Sequence, residues 1–365
     1  MSVLSPSTFE FGIFDWIDES RPLQLAEIYE QRLRMLEYAD AAGFWCYHLA
    51  EHHGTPLGMA PSPSLFLAAA AQRTQRIRLG PLCHLLPLYN PLRHIEEICM
   101  LDHLTRGRLE LGIGRGISPA ELALFNVGGE ESRGMFHEAL EVVLGGLATG
   151  KVSHEGRYYR LTDVAIPLRP YQRPYPPLWY PTSNPESVPW VAAQGMNILF
   201  SATLPSFSRT GELIHQYASL LEAHRDDSGR LNAHVASQLY GFSRHVYVGE
   251  TDAQAWREAK VAYEEFDSNY KTRPGRQADD HYALRPNFET AAEQRRIFVG
   301  SPATVRDQLK ECADVVGGNY FVGVFAFGNL TTEQILGSLQ RFTEGVMPAF
   351  AGSGNPLSSP AVVTR

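Results

Sequence analysis

Glu51, His52 and His53 stand consecutively in HLAEHHGTPLG, residues 48–58, directly before a Gly/Pro loop. A carboxylate beside two imidazoles can hold or move a proton near neutral pH. Neighbours in an extended chain point to opposite sides, so at most two of the three can share one pocket. His48 and His52 are four apart, a metal-ligand spacing on a helix, but no HExxH pattern or third clustered ligand follows. Two readings remain. Either this is a polar strand end satisfied by loop amides, or a histidine that exchanges hydrogen bonds with a bound ligand.

A second group lies in ELGIGRGIS, where glycines at 112, 114 and 116 admit a ligand close to the backbone and Arg115 adds a fork suited to phosphate. The dinucleotide pattern GxGxxG fails because position 117 is Ile, and no GK[ST] follows. A solvated arginine beside a tight turn is the plain alternative. The third group is YPTSNPES, residues 180–187, where Ser183, Asn184 and Ser187 would gather at a helix start and could seat an anion. Plain capping is its alternative. Arg133, in ESRGMF, could reach the same anion.

The elements that must position these groups alternate along the chain. FEFGIFD reads as a strand, PLQLAEIYEQRLRMLEYADAAG as a helix closed by Gly43, and FWCYHLAEHH as a strand running into a loop. IRLGPLCHLLP, GRLELGIGRG, PLWYPTS, NILFSAT, SRHVYVGE and YFVGVFAFG complete eight strand candidates separated by helical stretches. This predicts an α/β fold, a (β/α)8 TIM barrel with insertions after strands 4 and 7, whose chemistry sits on the loops after the strands. A doubly wound open sheet is the runner-up. One domain over 1–350 is expected, with a hairpin near HEGRYYRLTDVAIPL. Residues 267–294, polar and Pro-containing, are expected to form a mobile lid, and 351–365 a disordered tail.

Composition narrows the function. The hydrophobic share of 44% is enough for a large core, and a net charge of −8 argues against nucleic acid or an anionic membrane surface. SLFLAAAAQ is far shorter than the roughly 20 residues a membrane span needs. Cys46, Cys83, Cys99 and Cys312 are widely spaced, form no CxxC pair and follow no secretory leader, which suggests reduced thiols in a cytoplasmic protein.

FWCYHLAEHH, IRLGPLCHLLPLYNPLRHIEEICMLDHLTRGRLELGIGRG, ESRGMF and TTEQILGSLQRFTEGVMPAF resemble, in order and spacing, the bacterial luciferase-like flavin-dependent monooxygenases. The similarity spans about residues 9–350, and its most specific parts are EHH and the block from 77 to 116. The resemblance implies a barrel that binds reduced FMN, delivered by a separate NAD(P)H flavin reductase, which reacts with O2 to give a C4a-peroxyflavin. It further implies that Arg115, Gly116, Arg133, Ser183, Asn184 and Ser187 hold the phosphate end. His52 would lie near the flavin ring with Glu51 orienting its surroundings, and His53 would face the loop. A cis peptide joining Leu82 to Cys83 would bulge against the ring. A homodimer, or a heterodimer with a related chain, is also implied.

One departure matters. Where luciferase carries a reactive cysteine, this chain has Gly114, so thiol chemistry at that place is not expected and the space there should be larger. That favours oxygenation of another organic compound over light emission. Phe14 and Trp16 from strand one, Phe200 from strand six and Phe266 beneath the lid would frame an apolar or aromatic substrate pocket. F420-dependent hydride transfer on the same barrel is the competing enzyme reading, FAD ranks with F420 behind FMN, and a non-catalytic flavin-binding barrel is the alternative of another class.

Overall fold

The computed structural model describes residues 9–200, 207–272 and 285–350. The expected tail, and residues 273–284 of the expected lid, lie outside the described residues.

The first half runs β1 (Glu10–Asp15), α1 (Leu25–Ala42), β2 (Cys46–Leu49), α2 (Pro63–Arg73), β3 (Arg78–Pro81), β4 (His84–Leu85), α3 (Pro91–Leu104) and β5 (Leu111–Gly114). An excursion follows: α4 (Pro119–Leu124), α5 (Glu131–Thr149) and the hairpin β6 (Lys151–Glu155) and β7 (Arg160–Ala165). The second half runs β8 (Leu178–Thr182), α6 (Val188–Ala193), β9 (Asn197–Phe200), α7 (Phe207–Ala223), β10 (Tyr240–Val248), α8 (Asp252–Lys271), α9 (Phe288–Glu293), β11 (Ile297–Gly300), α10 (Pro302–Val316), β12 (Tyr320–Val324) and α11 (Thr332–Gly345).

The strands follow the order β3-β2-β1-β12-β10-β9-β8-β5-β4, with β11 beside β10, and every pairing within this sheet is parallel. β3 and β4 are halves of one strand interrupted at Leu82–Cys83: β3 pairs with β2 and β4 with β5, and a bridge from Leu79 to Leu109 closes the ring. This is the expected (β/α)8 barrel, with the expected excursions after its fourth and seventh strands. Parallel strands are covered on both faces, and β2 and β9 are accordingly buried throughout.

Local signals set the helix ends. Gln24 donates its backbone N–H to Glu27 at the start of α1, and Gly43, with φ 88°, closes that helix. Asn90 accepts from the N–H groups of Leu92 and Arg93, with Pro91 as the first helical residue of α3.

Strand alternation sends one set of side chains outward to the helices and the other into the barrel. The interior holds Leu82, Trp179, Leu199, Tyr320 and Val322, with Phe14, Trp45 and Leu239 packed against them. Tyr320 fits because its neighbours are small: a Cβ at Gly12 would fall 2.0 Å from its hydroxyl. The floor is therefore plugged, and chemistry is left to the strands' carboxyl ends.

Three expectations change. Residues 267–271 finish α8 and 288–293 form α9, so both ends of the segment expected as a lid are helical; the α8 face of Tyr263, Phe266 and Tyr270 supplies the helical burial that charge content concealed. β11, parallel to β10, adds a strand to the eight expected. Phe200 does not frame an interior pocket. It pairs with Thr182 and Phe242, packs into the helix-facing core and is fully buried, whereas its neighbour Leu199 faces inward.

Candidate active site

The loop after β2 carries the acid–base groups. His52 places Nδ1 3.2 Å from each carboxylate oxygen of Glu121, a buried residue on α4. Oε2 of Glu121 also accepts from the backbone N–H of His53 at 3.1 Å. Glu51 does not serve the histidine next to it. Its Oε1 lies 3.0 Å from Nε2 of His53, while its Oε2 accepts from the Tyr89 hydroxyl at 2.7 Å and the Leu85 N–H at 3.3 Å. The two imidazoles share one degree of exposure, 15% of the side chain each. His53, expected to face the loop, lies edge-on to the ring of Phe125 with centroids 4.6 Å apart. His48 and His52 are not brought together: His48 turns inward, with Nε2 2.9 Å from the Tyr320 hydroxyl, and burial pushes its pKa down to about 3.

Behind Glu51 the Tyr89 ring packs on His94 at 4.3 Å, and His94 meets His84 edge-on at 4.6 Å. Burial holds both imidazoles in the neutral form. This apolar backing, with three donors on Glu51, keeps the carboxylate in one place.

The Leu82–Cys83 peptide is cis, as the resemblance implied. A Cβ at Gly112 would lie 2.1 Å from the Pro81 carbonyl, and one at Gly114 would lie 2.2 Å from the Cys83 Sγ. The space expected to be enlarged at Gly114 is thus filled from across the strand by Cys83, and a thiol does stand there. Burial, reinforced by Glu51, pushes that thiol's pKa up, so it is held protonated.

Three of the residues expected to hold an anion act on Tyr180 of β8. Burial raises its pKa, and Cys83 adds to this, while a hydrogen bond with Ser187 and the charges of Arg115 and Arg133 oppose it. Ser187 is thus linked to Tyr180 by a hydrogen bond, and Arg115 and Arg133 by the charge they exert on it. Arg115 is steadied by Ser132, whose Oγ accepts from its Nη1 at 3.3 Å and donates to the Gly129 carbonyl at 2.7 Å. Gly116 takes a left-handed φ of 87° at the turn after Arg115.

Ser183 and Asn184 are exposed on the same loop. Capping accounts for part of Asn184, whose Oδ1 accepts from the Glu186 N–H at 3.0 Å. The helix expected after YPTSNPES is short: a 3-10 turn, Pro185–Ser187, then the six residues of α6.

Of the aromatics assigned to the substrate pocket, Phe14 is half-buried and touches the interior cluster. Trp16 and Phe266 back it: Trp16 packs on Phe14 at 4.6 Å and on Phe266 at 5.2 Å, and both are buried in the core. His245 stacks on Trp16 at 5.8 Å.

Glu121 and Tyr180 escaped sequence reasoning. ISPAEL has the Ser-x-x-Glu form of a capping box, and the Ser118 hydroxyl does accept from the Glu121 N–H at 3.3 Å. The Glu121 carboxylate, however, goes to the histidine loop.

The barrel thus carries two carboxylate-held imidazoles on the loop after β2, and Arg115, Arg133 and Ser187 acting on Tyr180 of β8. The profile of the luciferase-like monooxygenase family matches residues 9–318, and the chain belongs to that family and to its class of flavin-dependent monooxygenases. It is 38% identical over 343 residues to an uncharacterised protein, y4wF, of Sinorhizobium fredii, covering 92% of this chain and 96% of that one. It is 26% identical over 338 residues to the oxygenase component of flavin-dependent trigonelline monooxygenase from Acinetobacter baylyi, covering 90% and 91%. Among solved structures, the monooxygenase RslO1 from Streptomyces bottropensis superposes with a TM-score of 0.81 at 26% identity, over 94% of this chain and all of that one. No helix among the described residues is long and apolar enough to cross a membrane.

Proposed function

We propose that the protein is the oxygenase half of a two-component system, taking reduced FMN from a separate NAD(P)H flavin reductase and using O2 to oxygenate a small apolar or aromatic compound. The observation that carries this reading is that the segment after β5 serves both sides: Glu121 holds His52 of the β2 loop, and Arg115 acts electrostatically on Tyr180 of the adjoining β8. Two guanidinium groups with hydroxyl and amide donors match a phosphate monoester in charge and geometry. Arg115, Gly116, Arg133, Ser183, Asn184 and Ser187 would hold that end, and the Leu82–Cys83 backbone the ring. A bound reduced flavin supplies the two electrons that activate O2.

The chain's own part is to position, keep dry and move a proton. Glu121 orients His52, which takes or returns a proton at Nε2 during oxygen transfer. Phe14 and Cys83 give the neighbouring wall an apolar character that excludes water and ionic compounds. The relative named as an oxygenase component supports a separate reductase. Exposed Leu65, Met100 and Leu104 on the adjoining helices α2 and α3 support a dimer.

The test supplies FMNH2 through a flavin reductase, with apolar and aromatic compounds as substrates, and measures O2 uptake, oxygenated product and H2O2. Product formation matched to O2 uptake is expected. Binding and turnover with reduced F420 but not FMNH2 would replace this reading with hydride transfer, and flavin binding without turnover of any compound would make the barrel a flavin carrier.

A further inference from the structure

We propose that the two consecutive histidines are locked in opposite tautomers by two different carboxylates, so that His52 offers a bare Nε2 to the site and His53 a bare Nδ1. The site's chemistry rests on the function proposed above; the tautomers do not.

The argument counts donors. A neutral imidazole carries one N–H, and an ionised carboxylate only accepts. Both oxygens of Glu121 stand 3.2 Å from Nδ1 of His52, and one of them also takes the His53 backbone N–H at 3.1 Å. Nδ1 of His52 must therefore be the protonated nitrogen, which leaves Nε2 with its lone pair. Glu51 receives the Tyr89 hydroxyl at 2.7 Å and the Leu85 N–H at 3.3 Å on one oxygen, and its other oxygen faces Nε2 of His53 at 3.0 Å. Here Nε2 is the protonated nitrogen and Nδ1 is bare. Neither bare nitrogen has a hydrogen-bond partner among the described residues.

The crossed wiring has a geometric consequence. Nε2 lies at the outer end of an imidazole and Nδ1 beside its stem, so His52 reaches outward to accept a proton while His53 accepts only from a group close to the chain, next to Phe125. Two residues of one type, adjacent in sequence, thereby present acceptors at different depths. Glu121 and Glu51 are positioning residues in this scheme: each acts through its histidine, and each fixes a tautomer the ring could otherwise exchange.

Substitution by glutamine makes the scheme readable. In Glu121→Gln one of the two acceptor oxygens facing Nδ1 of His52 is replaced by an NH2 donor; with the remaining oxygen on the His53 N–H, the NH2 faces Nδ1 and favours the proton on Nε2. In Glu51→Gln the amide oxygen keeps Tyr89 and Leu85, and the NH2 flips His53 in the same way.

The experiment is long-range 1H–15N correlation on the full-length, flavin-free chain with 15N-labelled histidine, at about pH 9, well above the ordinary imidazole pKa of about 6.5. His52→Gln and His53→Gln assign the two rings. Expected are Nδ1–H for His52 and Nε2–H for His53, with Glu121→Gln inverting only the first and Glu51→Gln only the second. Both rings in one tautomer, a ring still doubly protonated at that pH, or a folded Glu121→Gln protein with His52 unchanged overturns the proposal. If a glutamine variant fails to fold, the wild-type spectrum alone decides. Coupled oxygenation should fall by about 10²-fold in Glu121→Gln, with FMNH2 affinity within about twofold, and Glu121→Asp should restore much of the loss. Opposite tautomers in a protein that never oxygenates with FMNH2 would leave this inference standing and remove the functional reading; matching tautomers in an active oxygenase would do the reverse.

Discussion

The two sides of the site are built differently. On the proposed anion side Arg133, Ser183 and Asn184 are exposed, and Arg115, Arg133 and Ser187 act on the Tyr180 hydroxyl. On the acid–base side both carboxylates are buried, and each is held by several donors. A phosphate brings its own charge and needs only donors within reach, which exposed side chains can supply by moving. A proton acceptor must present one nitrogen at one place, and that demands carboxylates fixed by packing. The difference predicts that disturbing the first side weakens binding and disturbing the second spoils chemistry.

The largest effect should come from the acid–base side. His52→Ala should leave FMNH2 affinity nearly intact while coupled product falls by about 10²-fold or more and H2O2 rises in its place. Simultaneous measurement of O2 uptake, product and H2O2 checks it; unchanged coupling would erase the contrast between the two sides.

Next comes the anion side. Arg115→Ala removes a charged donor and should weaken FMN binding by about 1.5 to 3 kcal/mol, with riboflavin hardly affected. Fluorescence titration of both flavins gives the comparison, and equal losses would detach Arg115 from the phosphate.

Between the two sides, Cys83 and Gly114 share one volume. Gly114→Ala puts a methyl 2.2 Å from the thiol and should cost about 1 to 3 kcal/mol of stability. Adding Cys83→Ala should recover most of that loss, a coupling that urea denaturation of both single variants and the double variant would measure.

The effect most remote from the site, and the smallest on its chemistry, concerns a carboxylate whose partner is a guanidinium instead of an imidazole. Asp18 accepts from Asn269 and the Gly328 N–H and faces Arg32 at 3.7 Å, yet burial raises its pKa to about 7. The folded chain then holds this proton more tightly than the unfolded chain, where an aspartate titrates near 3.9. Its contribution is complete below about pH 4 and declines as pH rises to about 7. Asp18→Asn should flatten that part of the stability profile. Asp15, which burial also raises, should retain the remainder. Urea midpoints across that pH range would show it.

What the sequence disclosed follows the same division. Barrel order, the EHH loop and Arg115 were legible because each depends on residues close together in the chain. The cross-wiring of Glu51 and Glu121 was not, since Glu121 lies 69 residues beyond His52 inside a segment that reads as a capped helix start. Cys83 filling the space at Gly114 required strand register. Phe200 was misplaced for want of an argument the sequence did contain: in NILF the alternation that turns Leu199 inward must turn Phe200 out. β11 has only four residues beside a polar stretch, too few for periodicity to separate from a loop.

The central claim is that both sides serve one bound flavin. A crystal structure of the FMN complex tests it most directly. The account predicts phosphate oxygens within about 3.5 Å of the Arg115 guanidinium and the Ser187 hydroxyl, with the ring reaching toward Cys83 and the Nε2 edge of His52. A phosphate bound away from Arg115, or imidazoles facing away from the ring, would contradict it.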